Sequence, residues 1–213
     1  MKNRDLFKTE NSLADKYIKS FTYPFEILPH IGEIIMEIGK TLGDDYYLKN
    51  ENIWIHKSIK LPEYCTINGP CIIDSNVEIR PSAYIRGNVI IGKNSVIGNS
   101  CEIKNTILYD NVEVPHFNYV GDSILGFKSH LGAGSIISNL KSTKESVVID
   151  EMETNLRKVG AFLGDYVEIG CNAVLTPGTI VGSNTIIYPL TMVRGIISEN
   201  KIVKNMNNIV ERI

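Results

Sequence analysis

Residues 72–105 read IIDSNVEIRPSAYIRGNVIIGKNSVIGNSCEIKN, and an isoleucine returns at every sixth position: Ile73, Ile79, Ile85, Ile91, Ile97 and Ile103. An α-helix repeats its apolar face about every 3.6 residues, so a strict six does not fit one. Strands alternate at two, and six then means a short strand followed by a turn. The period extends outward from this stretch. It takes in Ile55, Leu61 and Ile67 on one side and Tyr109 on the other. Two residues earlier stands a second inward candidate, often small: Cys65, Cys71, Val77, Ala83, Val89, Ser95 and Cys101. A second run places Tyr119, Leu125, Leu131 and Ile137 at the same spacing, and a third runs from Leu163 through Ile169, Leu175, Val181 and Ile187 to Val193.

This is the signature of a parallel β-helix. Each hexad supplies one short strand and one corner, and three hexads make a triangular coil of 18 residues. The aliphatic residues stack as ladders inside, and each coil hydrogen-bonds to the next. The turns of an all-β sandwich would not hold one register through ten units. A solenoid needs its end coils covered. "PFEILPHIGEIIMEIGKTLGDD" sets Ile31, Ile34, Ile35 and Ile38 at helical spacing, with Gly43 as a stop, which predicts a helical N-terminal cap over residues 1–50. The β-helix is expected over 51–198. A C-terminal helix over 199–213 is expected from Ile202, Met206, Ile209 and Ile213, folding back on the other end or on a neighbouring subunit.

Composition bounds the rest. The 213 residues carry a formal net charge of −2, which gives no reason to expect nucleic acid or an acidic membrane as partner. No apolar run approaches the roughly 20 residues that span a bilayer, and the N-terminus lacks the apolar stretch of a secretory signal, so a cytoplasmic protein is expected. Cys65, Cys71, Cys101 and Cys171 show no C-x-x-C spacing, and the first three share one repeat position as small packed thiols.

The register fails twice. Tyr109 and Tyr119 lie ten residues apart, four more than one hexad, with Pro115 and His116 between them. Pro115 cannot donate to a ladder and marks a corner. The second failure, from Ile137 to Leu163, holds the polar stretch SNLKSTKESVVIDEMETNLRKVG and reads as a loop excursion over 139–159. Between the two breaks, Gly132 to Gly134 read GAG, where small residues would let a substrate approach backbone N–H groups.

At these residues the sequence resembles a known family. HFNYVGDSILGFKSHLGAGSIISNLKS, from His116, is similar to the acetyltransferase domain of the bifunctional glucosamine-1-phosphate acetyltransferase/N-acetylglucosamine-1-phosphate uridylyltransferase, and closer still to archaeal and clostridial sugar-phosphate homologues. The resemblance covers about residues 52–195 and rests on the H-x-x-Y-x-G-D…G-A-G…N constellation more than on the hexads. It implies a left-handed parallel β-helix, a homotrimer with sites between subunits, acetyl-CoA as co-substrate and no metal. Residue by residue, it implies that His116 is the catalytic base, that Asn139 contacts the substrate amine and that the Ala133 N–H faces the acetyl carbonyl. It implies that Arg86, Lys104 and Tyr119 bind the sugar phosphate, with Lys144 near it on the loop. His130 stands where the bacterial enzymes place a sugar-binding asparagine. Cys171 and Tyr188 fall near the coenzyme A positions, where the bifunctional enzyme has smaller residues. The family's uridylyltransferase domain is far longer than 50 residues and opens with a glycine-rich nucleotide loop; neither is seen in this sequence, and that activity is not expected of it.

The chemistry suits these residue types. Transfer of acetyl from a thioester to an amine needs a base, a held acceptor and a donor for the oxyanion. Histidine accepts a proton near neutral pH. Arg86 and Lys104, 18 residues apart, should stack on adjacent coils about 4.8 Å apart, where two cations repel unless an anion lies between them. No acyl-enzyme is required, so Cys171 need not be a nucleophile. Outward apolar residues Val96, Ile124 and Ile186 point to packing between subunits. Three other readings compete. One is an acetyltransferase for another small anionic acceptor. A metal enzyme would need His56, His116 and His130 to converge. A non-catalytic trimer would fit the enlarged residues Tyr188 and Pro189.

Overall fold

The structure, a computed structural model, describes residues 1–212. Three ladders of parallel strands form the walls of a triangular β-helix. The first wall stacks Ile55, Ile73, Ile91, Leu108, Leu125, Leu163, Val181 and Ile197. The second stacks Ile79, Ile97, Val114, Leu131, Ile169, Ile187 and Val203. The third stacks Ile67, Ile85, Ile103, Val120, Ile137, Leu175 and Val193. All of these side chains are buried. Each contributes roughly 1.5–3 kcal/mol by leaving water, and together they form one continuous core.

Corners follow a local rule. A residue with left-handed φ stands three positions after most ladder residues: Asn76, Ser82, Asn88, Asn94, Ser100 and Asn111. Asparagine adopts this region more readily than other side-chain-bearing residues, which is why Asn recurs at the period.

The ladder differs from the expected register at two tyrosines. Leu108, not Tyr109, fills the interior position, and Tyr109 turns out of the coil to stack on Phe7 with ring centroids 5.2 Å apart. Val120, not Tyr119, fills the next. Leu108, Val114 and Val120 therefore keep the period of six, and no four-residue insertion precedes His116. Instead the sides Ile103–Leu108 and Val120–Leu125 are each one residue short, with the left-handed corner moved forward to Asn105 and Asp122. The loop excursion does exist. It leaves and returns at the corner between the third and first walls, where Val159 N donates to Asn139 O at 3.0 Å and Leu140 bridges Lys158. It carries a small antiparallel pair, Val148–Ile149 with Met152–Glu153.

Both ends depart from expectation. The N-terminal segment is helical, with a 3-10 helix over Pro24–His30 and an α-helix over Ile31–Gly39, but it does not plug the end coil. It lies along the outer face of the first wall and buries Ile72, Ile90, Ile107, Ile124, Phe162 and Ile180. Ile124 is thus covered by its own chain and does not serve a subunit interface. At the far end of this segment Asp165 accepts hydrogen bonds from Lys8 N, Thr9 N and Thr9 Oγ1 at 3.0, 3.1 and 3.1 Å. The strand Tyr46–Asn50, antiparallel to Ile53–His56, covers the first edge. The C-terminal helix expected over 199–213 is absent over the described residues, and Ile213 lies outside them. Lys201–Asn205 and Asn208–Glu211 form a hairpin, because Val203 continues the second ladder beside Ile187 and two asparagines flank the turn.

Gly39 is where the helix meets the wall. A Cβ there would fall 2.4–2.6 Å from three atoms of the Trp54 indole. Gly39→Ala should therefore cost about 1–3 kcal/mol through overpacking and lower the melting temperature by several degrees. An unchanged melting temperature would show that the helix is not seated on the wall in this way.

Candidate functional site

The expected site residues gather at two different corners of the coil stack. The first lies between the second and third walls. His116 ends the strand Glu113–His116, and its side chain is exposed. The next coils bring Ala133, Cys171 and Pro189 into the same column. Gly134 N donates to His116 O, Asn172 N to Ala133 O and Leu190 N to Cys171 O, each at 2.9 Å. Tyr188 directly precedes this column and is exposed, as is the free thiol of Cys171. Within the GAG turn, the N–H groups of Gly132 and Gly134 are spent on Ile169 O and His116 O. The N–H of Ala133 has no partner among the described residues, so it is available to an incoming oxyanion.

Asn118 holds this corner together. It is buried, its Oδ1 accepts from His116 N at 3.0 Å, and its Nδ2 donates to Gly132 O, Ser135 O and Ser135 Oγ at 2.9–3.1 Å. One amide thus ties the histidine to the GAG turn. Phe117, between them, is 60% exposed and has φ +52°, a region that bulky residues rarely occupy. His130 lies on the outer face of the second wall, in register between Glu113 and Glu168, with Nδ1 3.0 Å from Glu168 Oε2. His56 lies at the end of a first-wall strand, so the three histidines do not converge. Among the described residues no three His, Cys, Asp or Glu side chains are placed to share a metal ion.

The second corner joins the third wall to the first. Arg86 and Lys104 occupy corresponding positions on adjacent coils, as their spacing predicts. Their charges do not require an outside anion, however. Arg86 Nη1 is 2.6 Å from Glu102 Oε1, and Lys104 Nζ is 3.3 Å from both oxygens of Asp122. The hydrogen bond to Glu102 raises the pKa of Arg86. Lys144 is exposed on the loop excursion, where its backbone carbonyl accepts from Arg157 Nε.

Asp122 organises this corner. It is 4% exposed, with left-handed φ. Its Oδ1 accepts from Asn105 Nδ2 at 2.9 Å and its Oδ2 from Asn139 Nδ2 at 2.5 Å. Asn139 Nδ2 donates its other hydrogen to Tyr119 Oη at 3.0 Å. A carboxylate only accepts, so Asn139 must turn its nitrogen inward. The Oδ1 of Asn139 is then the edge left to receive a donor. Gly121 makes the room: a Cβ there would lie 2.6 Å from Tyr119 Oη and 2.7 Å from Asn139 Nδ2. Burial raises the Tyr119 phenol above its usual pKa and keeps it protonated at neutral pH.

The sequence reading assigned no role to Asp122, Glu102, Asn105, Asn118 or Gly121. Asp122 and Gly121 stood in the quoted motif. Glu102 shares a strand face with Lys104 at a spacing of two, which was the available signal. Asn105 and Asn118 had no signal beyond being polar residues near corners.

The family described as the GMPPB C-terminal domain matches residues 67–169. The bifunctional protein GlmU of Methanococcus aeolicus is 33% identical over 248 aligned residues, covering 98% of this chain and 60% of its own length. That of Methanococcus vannielii is 36% identical over 166, covering 68% of this chain and 40% of its own. Among solved structures, the acetyltransferase domain of PglB from Neisseria gonorrhoeae superposes with a TM-score of 0.45 at 20% identity, over 85% of this chain and 65% of that one. The chain thus spans between about a quarter and three fifths of the length of the first curated relatives it matches. Over its hexapeptide repeats the chain is thus similar to the bifunctional GlmU proteins, and over residues 67–169 to the family described as the GMPPB C-terminal domain.

Proposed function

We propose that this chain is an acetyltransferase that moves acetyl from acetyl-CoA to the amine of an amino-sugar 1-phosphate, glucosamine-1-phosphate or galactosamine-1-phosphate. The observation that carries the reading is the fixed amide of Asn139. With both N–H groups held by Asp122 and Tyr119, its oxygen accepts a hydrogen from the substrate amine and turns the nitrogen lone pair toward the thioester. His116 takes the amine proton as attack proceeds, and the Ala133 N–H receives the charge that develops on the carbonyl oxygen. The column Ala133–Cys171, with Tyr188 beside it, is the path for the coenzyme A arm. The carbon–nitrogen bond forms and the carbon–sulfur bond breaks; the amine proton passes to His116 and from it to the leaving thiolate, which departs as free coenzyme A.

In one copy the two corners are separated by one wall. Phe117 and Asp122 are five residues apart, about 16 Å of extended chain. This supports a homotrimer in which His116 and the Ala133 column of one copy face Lys104 and Asn139 of the next. The outer face of the third wall fits such packing. Tyr84, Val174 and Met192 are exposed there on one line, beside Phe117 and Leu190. In this assembly Arg86 and Lys104 exchange their protein carboxylates for the acceptor's phosphate. A relative from Sulfurisphaera tokodaii, 30% identical over 145 residues and named a bifunctional sugar-1-phosphate nucleotidylyltransferase/acetyltransferase, supports a sugar 1-phosphate as the acceptor class, and a cytoplasmic location is part of the same proposal.

Three results test this. His116→Ala should fold as the parent does, because the side chain is exposed, and kcat should fall by about 10²–10⁴. Retention of more than about a tenth of parental kcat would remove His116 as the base. Arg86→Ala should raise KM for the phosphorylated acceptor by roughly tenfold or more, with KM for acetyl-CoA unchanged and the unphosphorylated amino sugar little affected. Equal losses with and without the phosphate would place Arg86 elsewhere. Sedimentation at micromolar concentration should give three copies, and a monomer would contradict the shared site.

A further inference from the structure

We propose that the N-terminal segment is a working part of the acceptor corner, acting through Asn105 and Asp122 on the amide of Asn139; the proposal rests on the acetyl-transfer reading above. The link is a chain of hydrogen bonds. Asn105 Nδ2 donates to Leu28 O, in the 3-10 helix, at 3.2 Å and to Asp122 Oδ1 at 2.9 Å. Asp122 Oδ2 in turn accepts from Asn139 Nδ2. Asn105 is therefore the only side chain in this chain of bonds that touches both the N-terminal segment and Asp122.

Geometry makes the link directional. Asn105 and Asp122 are the left-handed corner residues of two short sides on adjacent coils of the β-helix. Shortening each side by a residue brings the Asn105 amide over the Asp122 carboxylate. Asn76, Asn88, Asn94 and Asn111 stand on full-length sides of six residues. Asp122 needs several donors, because a nearly buried carboxylate is costly unless its oxygens are filled. Lys104 supplies a donor that the reaction also uses. When Lys104 turns to the acceptor's phosphate, the amides of Asn105 and Asn139 remain on the carboxylate, and of these two Asn105 is the one tied to the N-terminal segment. The backbone agrees: Gly160 N, where the loop excursion returns, donates to Asp122 O at 2.7 Å. The same loop rests on the N-terminal segment, with Thr154 and Leu156 lining a groove with Phe25, Pro29 and His30. Asp122 and Asn105 are positioning residues in this account, and they do not touch the reacting atoms.

The test compares three single variants of the full chain. Asn105→Gly keeps the left-handed corner and deletes the amide. Asp122→Asn replaces an acceptor by a group that can turn donors toward Lys104. Thr9→Ala removes a hydrogen bond of the same segment at Asp165, far from the corner, and reports stability alone. Asn105→Gly should lower kcat about tenfold with KM for acetyl-CoA within about twofold of the parent, and Asp122→Asn should lower it further. Thr9→Ala should leave kcat unchanged. Hydrogen exchange at the Val159 and Gly160 amides should accelerate in Asn105→Gly and stay parental in Thr9→Ala. Parental kcat in Asn105→Gly, or an equal loss in Thr9→Ala, would overturn the proposal. If the parent itself transfers no acetyl to any amino-sugar phosphate, the functional reading fails. The exchange rates then decide the link alone, and parental rates in Asn105→Gly would overturn it.

Discussion

Every outward side chain of this protein takes its place from the stacking of one coil on the next. Parallel strands pair about 4.8 Å apart, and the buried ladders allow no slippage, since a shift of one residue would turn the apolar set out of the core. A corner residue is therefore fixed against its counterpart a coil away. The column from His116 through Ala133 to Cys171 exists for this reason, and so does the pair Arg86 and Lys104. A substrate site on such a frame needs no dedicated loop to align it. It needs the right residues at the right turns of the period.

Departures from the period supply what the frame cannot. The short sides Ile103–Leu108 and Val120–Leu125 move the left-handed turn forward by one residue. That change puts Asp122, an acidic residue, at a nearly buried corner among three polar side chains that donate to it. The loop excursion leaves at the same corner and carries Asn139 at its root. The irregular part of the β-helix and the chemically crowded part thus coincide. Strain at Phe117 marks the other corner, where the backbone is held by Asn118 from beneath.

How much of this the sequence revealed differs with the range of the interaction. Ile73 to Ile103 announce the fold because the period is local and repeats. Tyr109 and Tyr119 mislead because each keeps the six-residue count while its neighbour, Leu108 or Val120, points inward; only the pairing with adjacent coils decides between them. The tail misleads for the same reason, since Ile202 and Ile209 fit a helical face as well as a hairpin. The resemblance singled out Arg86, Lys104 and Asn139. Their partners Glu102 and Asp122 were not singled out, because an ion pair across coils leaves no trace in local spacing. The route of the N-terminal segment along the first wall was equally hidden: its apolar face fits any apolar surface, and only the tertiary structure selects Trp54 and Ile90.

The central claim is that one site is built from two corners belonging to two copies. It is tested most directly by mixing. His116→Ala and Asn139→Ala chains, each deficient alone, are expressed together and purified as mixed assemblies, and coenzyme A release with an amino-sugar 1-phosphate is measured. If the corners act across copies, one of the three interfaces in each mixed trimer regains an intact site, and activity should return to about a third of the parent. If both residues serve within one chain, no mixed assembly holds an intact site. Activity that stays at the level of the single variants would then contradict the account.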